Sequence, residues 1–178
     1  MAERSGIPVI TTLLGLGSFP GGHPLSMGML GMHGMYWNNI SVDQADLIVG
    51  VGMRFDDRVT GKVDTFAPHA RIIHMDIDPS QIGRNVPVEV AVVGDAKALL
   101  QRLAPMVTNT PRPDWMQYIE NLKQNHPSLA IPASDTLQPQ QVISALDTLV
   151  QEDPETIVVT GVGQHQMWAA QHYVFTRP

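Results

Sequence analysis

Residues 46–104 decide the fold: DLIVGVG (Asp46 to Gly52), RIIHMDID (Arg71 to Asp78) and VEVAVVG (Val88 to Gly94), the last running straight into DAKALLQRLA (Asp95 to Ala104). Each of the first three is a short, near-continuous apolar run, closed by glycine or stopped by Pro79. Such runs fit strands buried on both faces, as in a parallel sheet covered by helices. The fourth has leucines at helical spacing, with Asp95 placed to cap it. Upstream, Ile7 to Thr12 (IPVITT) reads as one more strand. Strands alternating with turns and helices argue for an α/β, Rossmann-like parallel sheet flanked by helices.

Beyond residue 106 the texture changes. Residues 107–139 are rich in Pro and Asn and read as a linker with one helix. That helix is expected over 114–125, with Trp115, Tyr118, Ile119 and Leu122 on one face and Asp114 as its cap. Residues 140–178 start a new pattern. Gln140 to Gln151 is helical, with Val142, Ile143, Leu146 and Leu149 or Val150 in register and Pro139 at the first turn. After Asp153 and Pro154, ETIVVT (Glu155 to Thr160) reads as a strand, Gly161 to Gly163 as a turn, and Gln164 to Gln171 as a helix. One strand and two helices cannot make a sheet, so 140–178 reads as the opening of a second α/β domain, cut off. The expected division is 1–106, 107–139 and 140–178.

Composition narrows the function. At 178 residues the chain can bury roughly 70% of its unfolded surface without staples. Only 16% of residues are charged, against the usual ~25%, which excludes a disordered chain or a coiled coil. The absence of cysteine excludes disulfides, thiolate zinc sites and cysteine nucleophiles. A net charge of −6 with no Lys/Arg run argues against nucleic-acid binding. No apolar stretch approaches the ~18 residues of a membrane span, and the first residues lack a secretory pattern, so a cytoplasmic protein is expected. Most of the Met and Gly lie before residue 60, which marks that part as site-bearing.

In a parallel α/β sheet the chemistry follows the strands. After Val51 comes GMRFDDRVTG (Gly52 to Gly61). Phe55 breaks the G-x-G-x-x-G pattern, so a plain dinucleotide fold is disfavoured. What remains is glycine for close main-chain approach, and two arginines bracketing two aspartates. Guanidinium forks suit phosphate or carboxylate. A salt-bridged turn with Asp56 or Asp57 capping a short helix is the plainer alternative. Asp76 and Asp78 close the next strand, loosely where an acid would hold ribose hydroxyls, ~20 residues after a glycine turn; a solvated strand end explains them as well. LSMGMLGMHG (Leu25 to Gly34) is too glycine-rich for a helix. Its methionines suit a flat aromatic ligand, or simply line a core loop. His33 has no second ligand at metal spacing. Finally, Gly161-Val162-Gly163-Gln164-His165 places a helix start where an anion could dock.

Four stretches together resemble a known family: LLGLGSF (Leu13 to Phe19), MLGMHG (Met29 to Gly34), GMRFDDRVTG (Gly52 to Gly61) and GVGQHQMWAAQ (Gly161 to Gln171). They are similar to the catalytic subunits of the acetohydroxyacid synthase (acetolactate synthase) family, and the resemblance runs over essentially the whole chain. It implies a thiamine-diphosphate enzyme that also binds FAD and needs Mg²⁺. Such an enzyme decarboxylates pyruvate and joins the two-carbon unit to a second 2-keto acid, opening branched-chain amino-acid synthesis. It further implies a homodimer or homotetramer, with a small regulatory subunit as a further partner.

Carried over by position, the resemblance assigns Thr12, Leu13, Leu30, Gly31, Met32, His33, Gly52, Met53, Arg54, Asp56, Arg58 and Val59 to FAD. Asp76, Ile77 and Asp95 would hold its adenosine end. Arg58 would also meet the carboxylate of the second keto acid, and Met32, Asp57 and Arg58 would lie at the mouth where the family's herbicides bind. Val162, Gly163, Gln164 and His165 would contact thiamine diphosphate. The family's activating glutamate, its magnesium-binding Gly-Asp-Gly stretch and the central domain's first strand have no counterpart here. The chain alone is therefore expected to lack synthase activity, to have no metal ligand or catalytic residue of its own, and to be marginal or self-associating through an unpaired sheet edge. Two alternatives stay open: another thiamine-diphosphate decarboxylase or carboligase, and a non-catalytic nucleotide-binding module.

Overall fold

A computed structural model describes residues 1–151, 153 and 155–178. After a short helix α1 (Ala2–Ser5), strands β1 (Val9–Thr11) and β2 (Ser26–Met29) pair in parallel as one small sheet. Helix α2 (Tyr36–Asp43) then leads to β3 (Leu47–Val51), the turn helix α3 (Asp57–Thr60), β4 (Arg71–Asp76) and β5 (Val90–Val93). These three strands form a second parallel sheet in the order β3-β4-β5. Helices α4 (Ala96–Leu103), α5 (Pro113–Asn125), α6 (Pro139–Val150) and α7 (Gln164–His172) complete the chain. The α/β parallel architecture expected from the sequence is present, divided between two sheets. Residues in and around β1 and β3 share the lining of one cleft of about 530 Å³, Ile7, Ile10 and Thr12 with Leu47, Ile48 and Val49.

Each sheet has its own core. Met27, Met29, Met35, Trp37, Ile119 and Ala170 are buried together around β2, where α2, α5 and α7 converge. Phe55, Ile72 and Val86 fill the second core, beside β4. The methionines thus divide: Met27 and Met29 of the glycine-rich stretch, and Met35 just past it, are core, while Met32 is 60% exposed. Asn38 fastens β2 to α2, its Nδ2 donating to the Met27 and Met29 carbonyls at 2.8 Å each. Asp95 caps α4 as expected, its Oδ1 accepting from Ala98 N–H at 2.9 Å.

Four expectations need correction. Burial on both faces applies to β4, the central strand. Leu47 of β3, and Val90 and Val93 of β5, are exposed because those strands are edges. Residues 155–160 do not form a strand; they join no ladder among the described residues, and Ile157 and Val159 are 84% and 87% exposed. A β-type run gains little without a neighbour to complete its hydrogen bonds. Pro154, expected to precede that strand, lies outside the described residues. On α6 the face turned inward carries Ile143, Asp147 and Val150, whereas Val142, Leu146 and Leu149 point outward. On α5 the cap position falls on Arg112, whose side chain makes no cap bond, with Pro113 and Asp114 in the first turn. No helix among the described residues is long and apolar enough to cross a membrane.

Candidate functional site

The carboxyl ends of β3, β4 and β5 lie side by side, and ligands of parallel sheets bind at such ends. β3 runs out at Gly52, whose φ is +61°, a conformation that costs glycine little. Among the described residues no atom beyond its neighbours lies within 4 Å of where a Cβ would stand, so bare main chain faces open space.

The turn that follows is tied down from below. Gly52 N–H donates to the Met75 carbonyl at 2.8 Å, and Asn85 Nδ2 donates to the Arg54 carbonyl at 2.9 Å. His74 Nε2 lies 2.7 Å from the Met53 carbonyl oxygen. Phe55 sits at φ +49° and drives its ring into the second core. Above this base the polar groups divide. Arg54 pairs with Asp56 at 3.3 Å. Asp56 occupies the cap position of α3 without making the cap bond through its side chain, and its buried Oδ1 has no hydrogen-bond partner among the described residues. Arg58 is exposed and has no carboxylate within 4 Å among the described residues. The salt-bridged turn therefore accounts for Arg54 and leaves Arg58 free for an anion.

The loop after β2 comes across to meet this turn. Met32 N–H donates to the Arg58 carbonyl at 2.8 Å, and Arg58 Nη1 lies 3.8 Å from the Met32 sulfur. A Cβ on Gly31 would collide with that same carbonyl, and Gly31 has φ +94°, so only glycine permits the approach. Asn39 braces Gly31 from α2: its Oδ1 accepts the Gly31 N–H at 2.8 Å and its Nδ2 donates to the Gly31 carbonyl at 3.0 Å. Leu30, Gly31, Met32, Asp57 and Val59 line a cavity of about 360 Å³ between loop and turn.

The remaining residues lie around this centre or away from it. Thr12 and Leu13 begin the turn after β1, and Leu13 packs onto the first core. Asp76 ends β4 nearly buried, its Oδ1 accepting the Asp78 N–H at 2.9 Å, and Ile77 beside it is exposed. Bonds from the Ser80 hydroxyl, Ser80 N–H and Gln81 hold the Asp78 carboxyl below its usual range. Asp95 has one oxygen committed to its cap. His33 offers its carbonyl to Gln171 Nε2 at 2.8 Å, which joins the loop to the last turn of α7. Val162, Gly163, Gln164 and His165 lie at the other end of that helix, about 13 Å away along its axis. The structure thus brings Met32 to Arg58 and leaves the 162–165 turn apart. Burial pushes the His172 imidazole down from its usual value. No group of three or more His, Asp or Glu able to hold a metal ion occurs among the described residues.

Sequence reasoning passed over Asn39, His74 and Asn85. Each acts on a main-chain group 8, 21 or 31 positions away. No local pattern signals such a pairing.

Residues 1–103 match the family model for the thiamine pyrophosphate enzyme central domain. The chain is 45% identical to acetolactate synthase 1, chloroplastic, of Zea mays, over 99% of its own length and 28% of that protein's. It is 44% identical to acetolactate synthase of Mycobacterium leprae over its whole length, covering 29% of that protein. It is 48% identical to the acetolactate synthase large subunit of Parasynechococcus marenigrum, over 97% of its length and 28% of that protein's. The chain therefore spans less than a third of the length of these curated relatives.

Proposed function

The chain belongs to the thiamine pyrophosphate enzyme family, through that family's central domain, and on that premise we propose that it forms the flavin-binding part of an acetolactate synthase. In this reading residues 1–106 hold FAD, residues 107–139 are a linker, and residues 140–178 open the domain that binds thiamine diphosphate. The parent enzyme, cytoplasmic and a homodimer or homotetramer with a small regulatory subunit, takes pyruvate and a second 2-keto acid. Its Mg²⁺ ligands lie outside this chain, and the 178 residues alone have no synthase activity.

One arrangement carries the flavin assignment: a single turn opens at Gly52, whose main chain faces open space, and reaches Arg58, which has no carboxylate within 4 Å among the described residues and whose carbonyl accepts the Met32 N–H. Bare main chain admits a diphosphate closely, and an unpaired guanidinium supplies two parallel donors to its oxygens. The buried, unpartnered Asp56 Oδ1 is an acceptor awaiting a donor, as a hydroxyl of the bound nucleotide would be. Met32 and the Gly31 main chain present a soft apolar wall to a flat ring. Arg54, Val59, Leu30, His33, Thr12, Leu13 and Met53 complete that surface, and Asp76, Ile77 and Asp95 receive the adenosine end. At the far end of α7, the free N–H groups of the first helical turn suit the diphosphate of thiamine, with Val162, Gly163, Gln164 and His165 around it. Thiamine diphosphate, when bound, supplies the carbanion stabilisation the decarboxylation needs. The part of this chain is to bind, to orient, and, through Arg58, to hold the acceptor's carboxylate.

The test is titration of the chain with FAD and with riboflavin, followed by flavin fluorescence and absorbance. FAD binds and riboflavin, lacking the diphosphate, binds much more weakly. Arg58→Ala weakens FAD about 10- to 100-fold, the scale of a charge-assisted hydrogen bond. Equal affinity for both flavins, or indifference to Arg58→Ala, overturns the reading.

A further inference from the structure

We propose that His74 is a positioning residue for the Gly52–Arg58 turn, a strut whose Nε2–H fixes the angle at which Arg54 and Arg58 leave the sheet. The argument starts from its place. His74 is the fourth of the six residues of the central strand and is 1% exposed, a site where an aliphatic side chain would serve packing better. Its Nε2 lies 2.7 Å from the Met53 carbonyl oxygen. A carbonyl only accepts, so Nε2 carries the proton and the ring is held in that tautomer. Nδ1 is buried and without a partner among the described residues. A buried polar atom left without a partner is destabilising, so the imidazole is a poor choice for stability alone.

What the ring does is hold the turn. The Phe55 ring stands edge-on to it, 5.0 Å between centroids and 84° between planes. Phe55 also lies against Gly50, where a Cβ would come within 2.7 Å of the Phe55 ring. Three consecutive residues of the turn are thereby tied to the sheet side: Gly52 by its N–H to Met75, Met53 by its carbonyl to His74, Arg54 by its carbonyl to Asn85. The second and third ties come from side chains, and of these two His74 is the fully buried one. A turn fixed at three successive points presents its guanidinium groups already aimed, which spares the ordering cost on binding. The proposed role in anion capture rests on the flavin-site reading above; the strut itself does not.

The experiment has two arms. In the first, on the ligand-free chain, imidazole ¹⁵N NMR reads the tautomer, and amide hydrogen exchange reads the turn. The expected result is an Nε2–H tautomer in the wild type. In His74→Leu the amides of residues 53–58 exchange at least tenfold faster while those of the β4–β5 ladder keep their protection. In His74→Gln, whose amide N–H still reaches a carbonyl, turn protection returns. An Nδ1–H tautomer, or a His74→Leu turn as protected as wild type, overturns the strut. Should His74→Leu fail to fold, the wild-type tautomer and the His74→Gln exchange pattern decide. In the second arm FAD and riboflavin are titrated: His74→Leu weakens FAD at least tenfold and leaves riboflavin unchanged. A wild-type chain that binds no FAD defeats the flavin reading while the first arm still judges the strut. Unchanged FAD affinity in His74→Leu defeats the positioning role.

Discussion

Leu47 to Gly52 reads LIVGVG, and Ile157 to Gly163 reads IVVTGVG. The two stretches share one grammar, a β-branched run followed by Gly-Val-Gly, and both are followed by a helix. The first becomes β3, paired along its whole length with β4 from Leu47↔Arg71 to Val51↔Met75. The second has no partner among the described residues and leaves Ile157, Val159 and Val162 in solvent. The difference lies in the surroundings: β3 has a neighbour offering main-chain donors and acceptors at matching register, and 157–160 has none. Strand propensity describes a residue's fit to a pleated, half-buried surface, and that surface has to exist.

The sharpest way to break this comparison is truncation on both sides of it. Ile72→Ala in the central strand should cost about 2–4 kcal/mol, and Ile157→Ala should stay within about 0.5 kcal/mol, both read from urea unfolding midpoints at constant slope. Equal costs would show that 157–160 is packed after all. A second, smaller effect sharpens the contrast at the helix starts. α4, which follows β5, is capped by Asp95, whereas α7 starts from Gly163 with no side-chain cap. Asp95→Ala should therefore cost about 1 kcal/mol of stability; no loss would mean that the cap bond is incidental.

The smallest effect is electrostatic. Asp78, just past β4, is held below its usual range by the Ser80 hydroxyl, Ser80 N–H and Gln81. Asp153, ahead of the unpaired run, is held down by Glu155 N–H and the Thr156 hydroxyl. A carboxyl whose value is depressed on folding binds fewer protons folded than unfolded. Its stabilisation is present above the unfolded value, near 3.8, and fades as pH falls through the folded one. Thermal midpoints followed from about pH 6 to pH 2.5 should decline more gently in Asp78→Asn than in wild type. Asp153→Asn should leave the global midpoint alone, since the segment beyond it is not part of a ladder. A steeper decline in Asp78→Asn would reverse the sign of the argument.

Most of the strands were legible: β3, β4 and β5 are apolar runs that glycine or proline closes, and β1 lies in the β-type run Ile7 to Thr12. β2 was not, because Ser26-Met27-Gly28-Met29 has no β-branched residue and its alternation of small residues with methionine spans only four positions; its strand character comes from β1 and from Asn38 behind it. α2 escaped notice for a related reason. Its Asn38 and Asn39 are weak helix formers, and they are there to bond the main chain of β2 and Gly31. On α6 the periodicity was visible, but not which of two apolar flanks would meet α7. At the site, glycine and arginine announced the turn, whereas the ties beneath it depend on contacts that only the folded chain makes.

The cleft between β1 and β3 has a consequence for the site. The β1–β2 block and the β3–β5 block share no strand ladder at that cleft, yet Met32 of one reaches the Arg58 main chain of the other. Whatever settles against both residues acts as a stitch across a seam. Its affinity then adds directly to cohesion between the halves, by mass action, and heat would part an empty molecule along that line sooner than a filled one.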